Sequence, residues 1–138
     1  MTLHTFQQRD RLLQKETDFP AAGSTTKTEA VDLGPITHLG YRNMNMEFEF
    51  SSPELSATQL PASASVTYTL EFCNEPTFTD GVSVFECNDW KQTGSTNGAE
   101  EIVRRFRVST DSKRYCRLTC KNIGGALTGL KFMFEQVT

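Results

Sequence analysis

The stretch Asn43–Phe50, which reads NMNMEFEF, decides the fold class of this chain. Large apolar residues alternate here with polar ones, in the order Met44, Asn45, Met46, Glu47, Phe48, Glu49 and Phe50. A period of two residues sends successive side chains to opposite faces of an extended backbone. The stretch therefore predicts a β-strand that has one face in a core and the other in water.

The same alternation recurs toward both ends of the chain. Ser65–Cys73 repeats it with Val66, Tyr68, Leu70 and Phe72 on one face. Further strands are predicted at Thr26–Leu33, Val82–Cys87, Glu101–Val108, Arg114–Cys120 and Thr128–Val137. About seven or eight short strands separated by turn signals, without a convincing long helix, predict an all-β fold, either an antiparallel β-sandwich or a jelly roll.

Polar segments between these strands are predicted to be loops. Ser51–Ala64 contains two prolines and many small residues, and Asn88–Gly98 is polar and contains the single tryptophan, Trp90. Residues 1–24 show no clean period and are predicted to be an N-terminal arm, with residues 25–138 forming the sandwich. The arm is either a loose terminus or a segment that orders against a partner through its apolar residues, which are Leu3, Phe6, Leu12, Leu13 and Phe19. Deleting Met1–Phe19 is expected to leave the sandwich folded.

Length and charge limit the classes of function. The chain has 138 residues, which suits one domain. Its 14 basic and 17 acidic residues give a formal charge of -3, which argues against nucleic acid as the direct partner. No apolar run approaches the ~20 residues that span a bilayer, and Met1–Glu16 has no apolar signal-peptide core. We therefore expect no membrane partner and synthesis in a cytoplasm.

The sequence offers no catalytic, cofactor or metal site. His4 lies in the predicted arm and His38 in a predicted loop, and neither has a nucleophile placed near it. Cys116 and Cys120 would lie ~13 Å apart along one strand, too far to share a zinc ion or a disulfide. We expect four reduced thiols, although the sequence leaves open whether Cys73 and Cys87 are cross-strand neighbours.

Arginines concentrate in two predicted strands, which we expect to be adjacent. They are Arg104, Arg105, Arg107, Arg114 and Arg117. Such a cluster is either a salt-bridged solvent face or a protein interface, because arginine is enriched at protein contacts. We take Arg104, Arg105, Arg107 and Arg117, together with the five apolar residues of the arm, as candidate interface residues.

The order of short motifs resembles the capsid cement (decoration) proteins of tailed bacteriophages. Gly23-Ser24-Thr25-Thr26 precedes Ala30-Val31-Asp32-Leu33-Gly34, and a strand with the sequence Thr67-Tyr68-Thr69-Leu70-Glu71-Phe72-Cys73 follows. Arg114-Tyr115-Cys116-Arg117-Leu118 then leads to Gly124-Gly125-Ala126 and a final strand. The resemblance runs from about Ser24 to the C-terminus.

This resemblance implies a jelly-roll-like domain that forms a homotrimer on the exterior of the virion and bridges major capsid protein subunits. Two alternatives remain. A carbohydrate-binding β-sandwich or tail-fibre module would use exposed aromatic rings, for which Trp90 is the one candidate. A jelly-roll metal enzyme would need histidines on its strands, and no predicted strand contains one.

Overall fold

The computed structural model describes residues 15–35, 46–109 and 112–137, and these ranges contain strands, turns and loops without helix. The strands are β1 (Lys15–Asp18), β2 (Thr25–Lys27), β3 (Val31–Asp32), β4 (Met46–Ser52), β5 (Ser65–Cys73), β6 (Ser83–Thr93), β7 (Ile102–Val108), β8 (Tyr115–Ile123) and β9 (Lys131–Gln136). The predicted all-β class is confirmed. No helix in the described ranges is long and apolar enough to cross a membrane.

The strands form two antiparallel sheets. Sheet A has the order β1-β9-β4-β7, and sheet B has the order β2-β8-β5-β6 with β3 also paired to β8. The chain passes repeatedly between the sheets, so that β4 and β9 are neighbours in sheet A while β5 and β8 are neighbours in sheet B. This strand order is that of a jelly roll, and it confirms the predicted sandwich.

Aromatic side chains from both sheets fill the space between them. Phe48 and Phe50 of β4 are fully buried, as the alternation of the opening stretch predicts. The Phe50 ring lies 4.9 Å from the ring of Tyr68 on the opposite sheet, and the Tyr68 ring lies 5.9 Å from that of Phe132. Burying each such side chain contributes about 2–3 kcal/mol, so these contacts hold the sheets together.

The described part of the predicted arm belongs to the sandwich. β1 pairs with β9, so that Lys15 lies opposite Phe134 and Asp18 opposite Lys131. Phe19 is 7% exposed, and its ring lies 5.3 Å from the ring of Phe132. Phe19 is therefore a core residue, which corrects its assignment as an arm contact. The apolar residues Leu3, Phe6, Leu12 and Leu13 lie outside the described residues.

Strand β6 corrects the loop predicted at Asn88–Gly98. The strand continues to Thr93, and Trp90 within it is 6% exposed and packs against Phe50 and Phe106. Apolar and polar residues do not alternate regularly along β6, because the strand carries extra residues where its register with β5 shifts between Thr67 and Thr69. Trp90 is a core residue, so it provides no exposed ring for stacking.

The cysteines are all thiols. Cys116 and Cys120 are fully buried on β8, as predicted from their spacing. Cys73 and Cys87 are not partners across the β5–β6 pair, because Ser83 lies opposite Phe72 and Glu86 lies opposite Thr69.

Candidate functional site

An exposed apolar segment lies at the start of β6. We name Ser83–Glu86 the β6 edge; all four of its residues are exposed, with Val84 at 55% and Phe85 at 50%. β6 is the last strand in the order of sheet B, so its outer edge has no strand partner among the described residues. Open edges and exposed apolar clusters are the surfaces by which β-proteins associate.

Phe85 and Val84 project from opposite faces of this edge. Phe85 lies opposite Leu70, a buried residue of the inner face of β5, and its ring is 5.3 Å from that of Trp90. Val84 lies opposite Glu71, on the outer face. A partner that covered the edge would therefore contact apolar surface on both sides of the strand.

A second feature is a groove on the outer face of sheet B, which we name the outer groove. Between the pairs Thr67–Lys91 and Thr69–Glu86, four residues of β6 lie opposite a single residue of β5. This large bulge interrupts the surface and leaves a groove of about 420 Å³. Its lining comprises Thr25, Thr67, Tyr68, Thr69, Glu86, Cys87, Asn88, Lys91, Thr119 and Lys121.

Three predicted interface arginines lie on β7 in sheet A. Arg105 forms an ion pair with Glu49 at 3.4 Å, and Arg107 forms one with Glu47 at 3.4 Å. The inner-face residue Arg104 donates hydrogen bonds to the carbonyls of Val103 and Asp89, the latter from β6. Arg104 thus joins the edges of the two sheets, and the other two arginines form ion pairs with β4.

Of the other two arginines in the cluster, Arg117 lies on β8 of sheet B and Arg114 immediately precedes that strand. Arg117 donates to Glu71 at 2.7 Å, is 18% exposed, and has its guanidinium carbon 4.0 Å from the centre of the Phe78 ring. Arg114 donates to both carboxylate oxygens of Asp32, at 2.8 and 2.9 Å, and this bond raises the pKa of Arg114. The prediction that the arginines occupy two adjacent strands is wrong, because β7 and β8 belong to different sheets.

The acidic residues of the polar face of β4 are neutralised, because Glu47 and Glu49 form ion pairs with arginines of β7. Within residues 15–35, 46–109 and 112–137, no three His, Cys, Asp or Glu residues lie close enough together to hold a metal ion. His4 and His38 fall outside these ranges. The β6 edge and the outer groove have no signal in the local sequence pattern, because both depend on strand order and register.

Comparison with known proteins gives little further information. No family model and no curated protein matches the chain. Among solved structures, it is similar to the CBM22-1 xylan-binding domain of Xyn10C from Paenibacillus barcinonensis, with 9% sequence identity and a TM-score of 0.42 over 96% of this chain and 91% of that one. A likeness this distant does not indicate a shared ligand.

Proposed function

We propose that the chain is a capsid decoration protein of a tailed bacteriophage. In this role it forms a homotrimer on the exterior of the shell, bridges major capsid protein subunits and has no catalytic activity of its own. The observation that carries the proposal is the β6 edge, where Val84 and Phe85 expose about half of their surface at an open strand edge. The order of sequence motifs from Ser24 onward supplies the class of partner.

The rest of the surface supports a contact at this edge. The outer face of sheet A carries cross-strand ion pairs, Arg105 with Glu49 and Arg107 with Glu47. Exposed ion pairs of this kind contribute about 0–1 kcal/mol and do not need a partner. Covering Val84 and Phe85 removes apolar surface from water, which is the main favourable term in protein association.

Carbohydrate binding is the second candidate, because threonine hydroxyls line the outer groove. Binding of sugars by stacking needs an exposed aromatic ring, and Trp90 is 6% exposed. The only aromatic residue of the groove lining is Tyr68, which is fully buried. The geometry therefore favours a protein partner.

Co-sedimentation with phage shells tests the proposal. Wild-type protein should bind expanded shells and not unexpanded ones, and sedimentation velocity should show a trimer. The double variant V84S/F85S should bind at least about tenfold more weakly, because it loses over ~1.4 kcal/mol of apolar burial. V103S is the matched control, since Val103 is 45% exposed on sheet A.

A thermal melt of each variant establishes that it is folded. Equal binding by V84S/F85S and wild type would remove the β6 edge from the contact. Failure of the wild-type protein to bind any shell, together with a monomeric sedimentation profile, would refute the proposed function.

A further inference from the structure

The central row of the outer groove places two lysines on either side of a threonine. Lys121 of β8 and Lys91 of β6 both lie opposite Thr67 of β5, and Thr25 of β2 lies opposite Lys121. All four residues line the groove. Neighbouring strands are ~4.8 Å apart, so the backbones that carry the two lysines are ~10 Å apart.

Lys91 and Lys121 have no carboxylate partner among the described residues, unlike the neighbouring cations of sheet B. Neither Lys91 nor Lys121 has an ion-pair partner within the described ranges, whereas Lys27 and Arg117 on the same sheet both pair with Glu71. The hydroxyls of Thr69 and Thr119 in the next row bond to each other. The row Lys121–Thr67–Lys91 therefore offers two ammonium groups and a hydroxyl to an incoming group.

We propose that the outer groove binds an acidic peptide segment, with one Asp or Glu carboxylate held between Lys91 and Lys121. The carboxylate accepts hydrogen bonds from the two ammonium groups and from the Thr67 hydroxyl. The inference rests on the proposed function for the source of the segment, which is an exposed acidic strand or loop of the shell protein. It specifies a contact beside the β6 edge, with which the groove lining shares only Glu86.

The dimensions and lining of the groove favour a peptide. From β2 to β6 it crosses four strands, a span of ~14 Å, which accommodates about four residues of extended chain. The Tyr68 ring is buried and its hydroxyl donates to Gln92 at 2.9 Å, so it cannot stack on a sugar. Glu86, paired with Thr69 in the next row, repels a second carboxylate and so restricts the acidic group to the lysine row.

Fluorescence anisotropy with labelled hexaglutamate and the full-length chain tests the inference at low ionic strength. Hexaglutamate should bind and hexaglutamine should not. K91Q/K121Q should weaken binding at least about tenfold, because two charge-assisted contacts are lost. K91R/K121R should retain binding, and E86Q should strengthen it about two- to fivefold by removing a like charge.

K131Q is the matched control, because Lys131 lies on sheet A, where it pairs with Glu16 and Asp18. It should bind hexaglutamate as wild type does. Absence of hexaglutamate binding, an equal loss in K131Q, or binding of polygalacturonate in preference to the peptide would overturn the inference. The titration contains no shells, so its failure is distinct from failure of the proposed function. A chain that binds shells through the β6 edge while ignoring hexaglutamate would contradict this inference alone.

Discussion

At the scale of single residues, Tyr68 and Cys120 form a buried titratable pair at the centre of the sandwich. They lie opposite each other in the β5–β8 pair, and both are fully buried. Burial raises the pKa of the Cys120 thiol from 9.0 to about 12. Burial also raises the pKa of Tyr68, with a further contribution from the Cys120 charge. Both groups are therefore held in their neutral forms when the chain is folded.

This pair predicts a loss of stability at alkaline pH. The unfolded chain releases the Cys120 proton from about pH 9, whereas the folded chain keeps it until about pH 12. The folded state therefore binds more protons in this window. The contribution to the free energy of unfolding is complete below pH 9 and falls as pH rises, by about 1.4 kcal/mol per pH unit for one group.

Urea unfolding between about pH 8 and pH 10 checks this prediction. C120A should be less stable than wild type at the lower pH because it leaves a cavity, but its stability should fall less steeply with pH. L118A is the control, because it also leaves a cavity on β8 but removes no titratable group, so it should keep the wild-type slope. Parallel slopes for C120A and wild type would rule out Cys120 as the source.

Asn122 is a buried polar residue of β8 that lies beyond the end of the predicted strand Arg114–Cys120. The buried face of β8, formed by Cys116, Leu118 and Cys120, continues to Asn122, which is fully buried. Its amide donates to the carbonyls of Pro20 and Gly125 at 2.9 Å each, and its side-chain oxygen accepts from the Gly125 N–H at 2.8 Å. The period of two locates this residue in the core, and Gly125 lies only three residues away. Pro20 is remote in sequence, so local pattern does not reveal that partner.

At the scale of elements, the loop after β4 is locked to the loop between β6 and β7. Leu55 and Ala99 exchange backbone hydrogen bonds of 2.9 and 2.8 Å, and the Leu55 side chain is fully buried. Gly98 makes this approach geometrically feasible. It has a φ of +80°, and a Cβ at this position would lie 2.0 Å from the Leu55 carbonyl oxygen.

Two glycine substitutions separate backbone strain from this steric clash. Gly23 has a φ of +82° with nothing within 4 Å of an added Cβ, so G23A should cost only the left-handed strain, about 1 kcal/mol. G98A adds a backbone clash and should cost about 3 kcal/mol or more by breaking the Leu55–Ala99 bridge. Urea denaturation of both variants measures the difference. Equal losses of unfolding free energy in G23A and G98A would mean that the loop around Gly98 moves aside and that the clash with Leu55 contributes nothing.

Strands with regular alternation are predictable from sequence, whereas bulges and sheet membership are not. β4, β5 and β9 are predicted from sequence because none of these strands carries an inserted residue of its own, so their side chains keep the two-residue alternation. β6 was predicted only in part, because its bulge changes which face Trp90 and Phe85 occupy relative to a regular strand. The allocation of β7 and β8 to different sheets depends on long-range pairing, so local pattern finds the arginines but not their separation. The lysine row likewise depends on the register of β6 and β8 against β5.

At the scale of the whole molecule, the boundary of the N-terminal arm determines which truncation is informative. Removal of residues 1–19 would delete β1 and Phe19, which the structure places in the sandwich. That loss should cost about 3–5 kcal/mol for the Phe19 side chain alone and expose the edge of β9. The expectation that deleting Met1–Phe19 leaves the sandwich intact is therefore wrong, and the deletion expected to leave it intact is that of residues 1–14.

Deletion of residues 1–14 keeps every described strand, so it should leave the urea midpoint close to that of the full chain. If Leu3, Phe6, Leu12 and Leu13 anchor the proposed trimer to a shell, the same deletion should weaken co-sedimentation with expanded shells about tenfold or more, because three linked contacts would be lost at once. F19A in the full chain provides the converse control: it should lower stability by about 3 kcal/mol or more while shell binding at low temperature is retained. Wild-type shell binding after deletion of residues 1–14 would assign the contact to the β6 edge and the outer groove, and would exclude the arm from the mechanism.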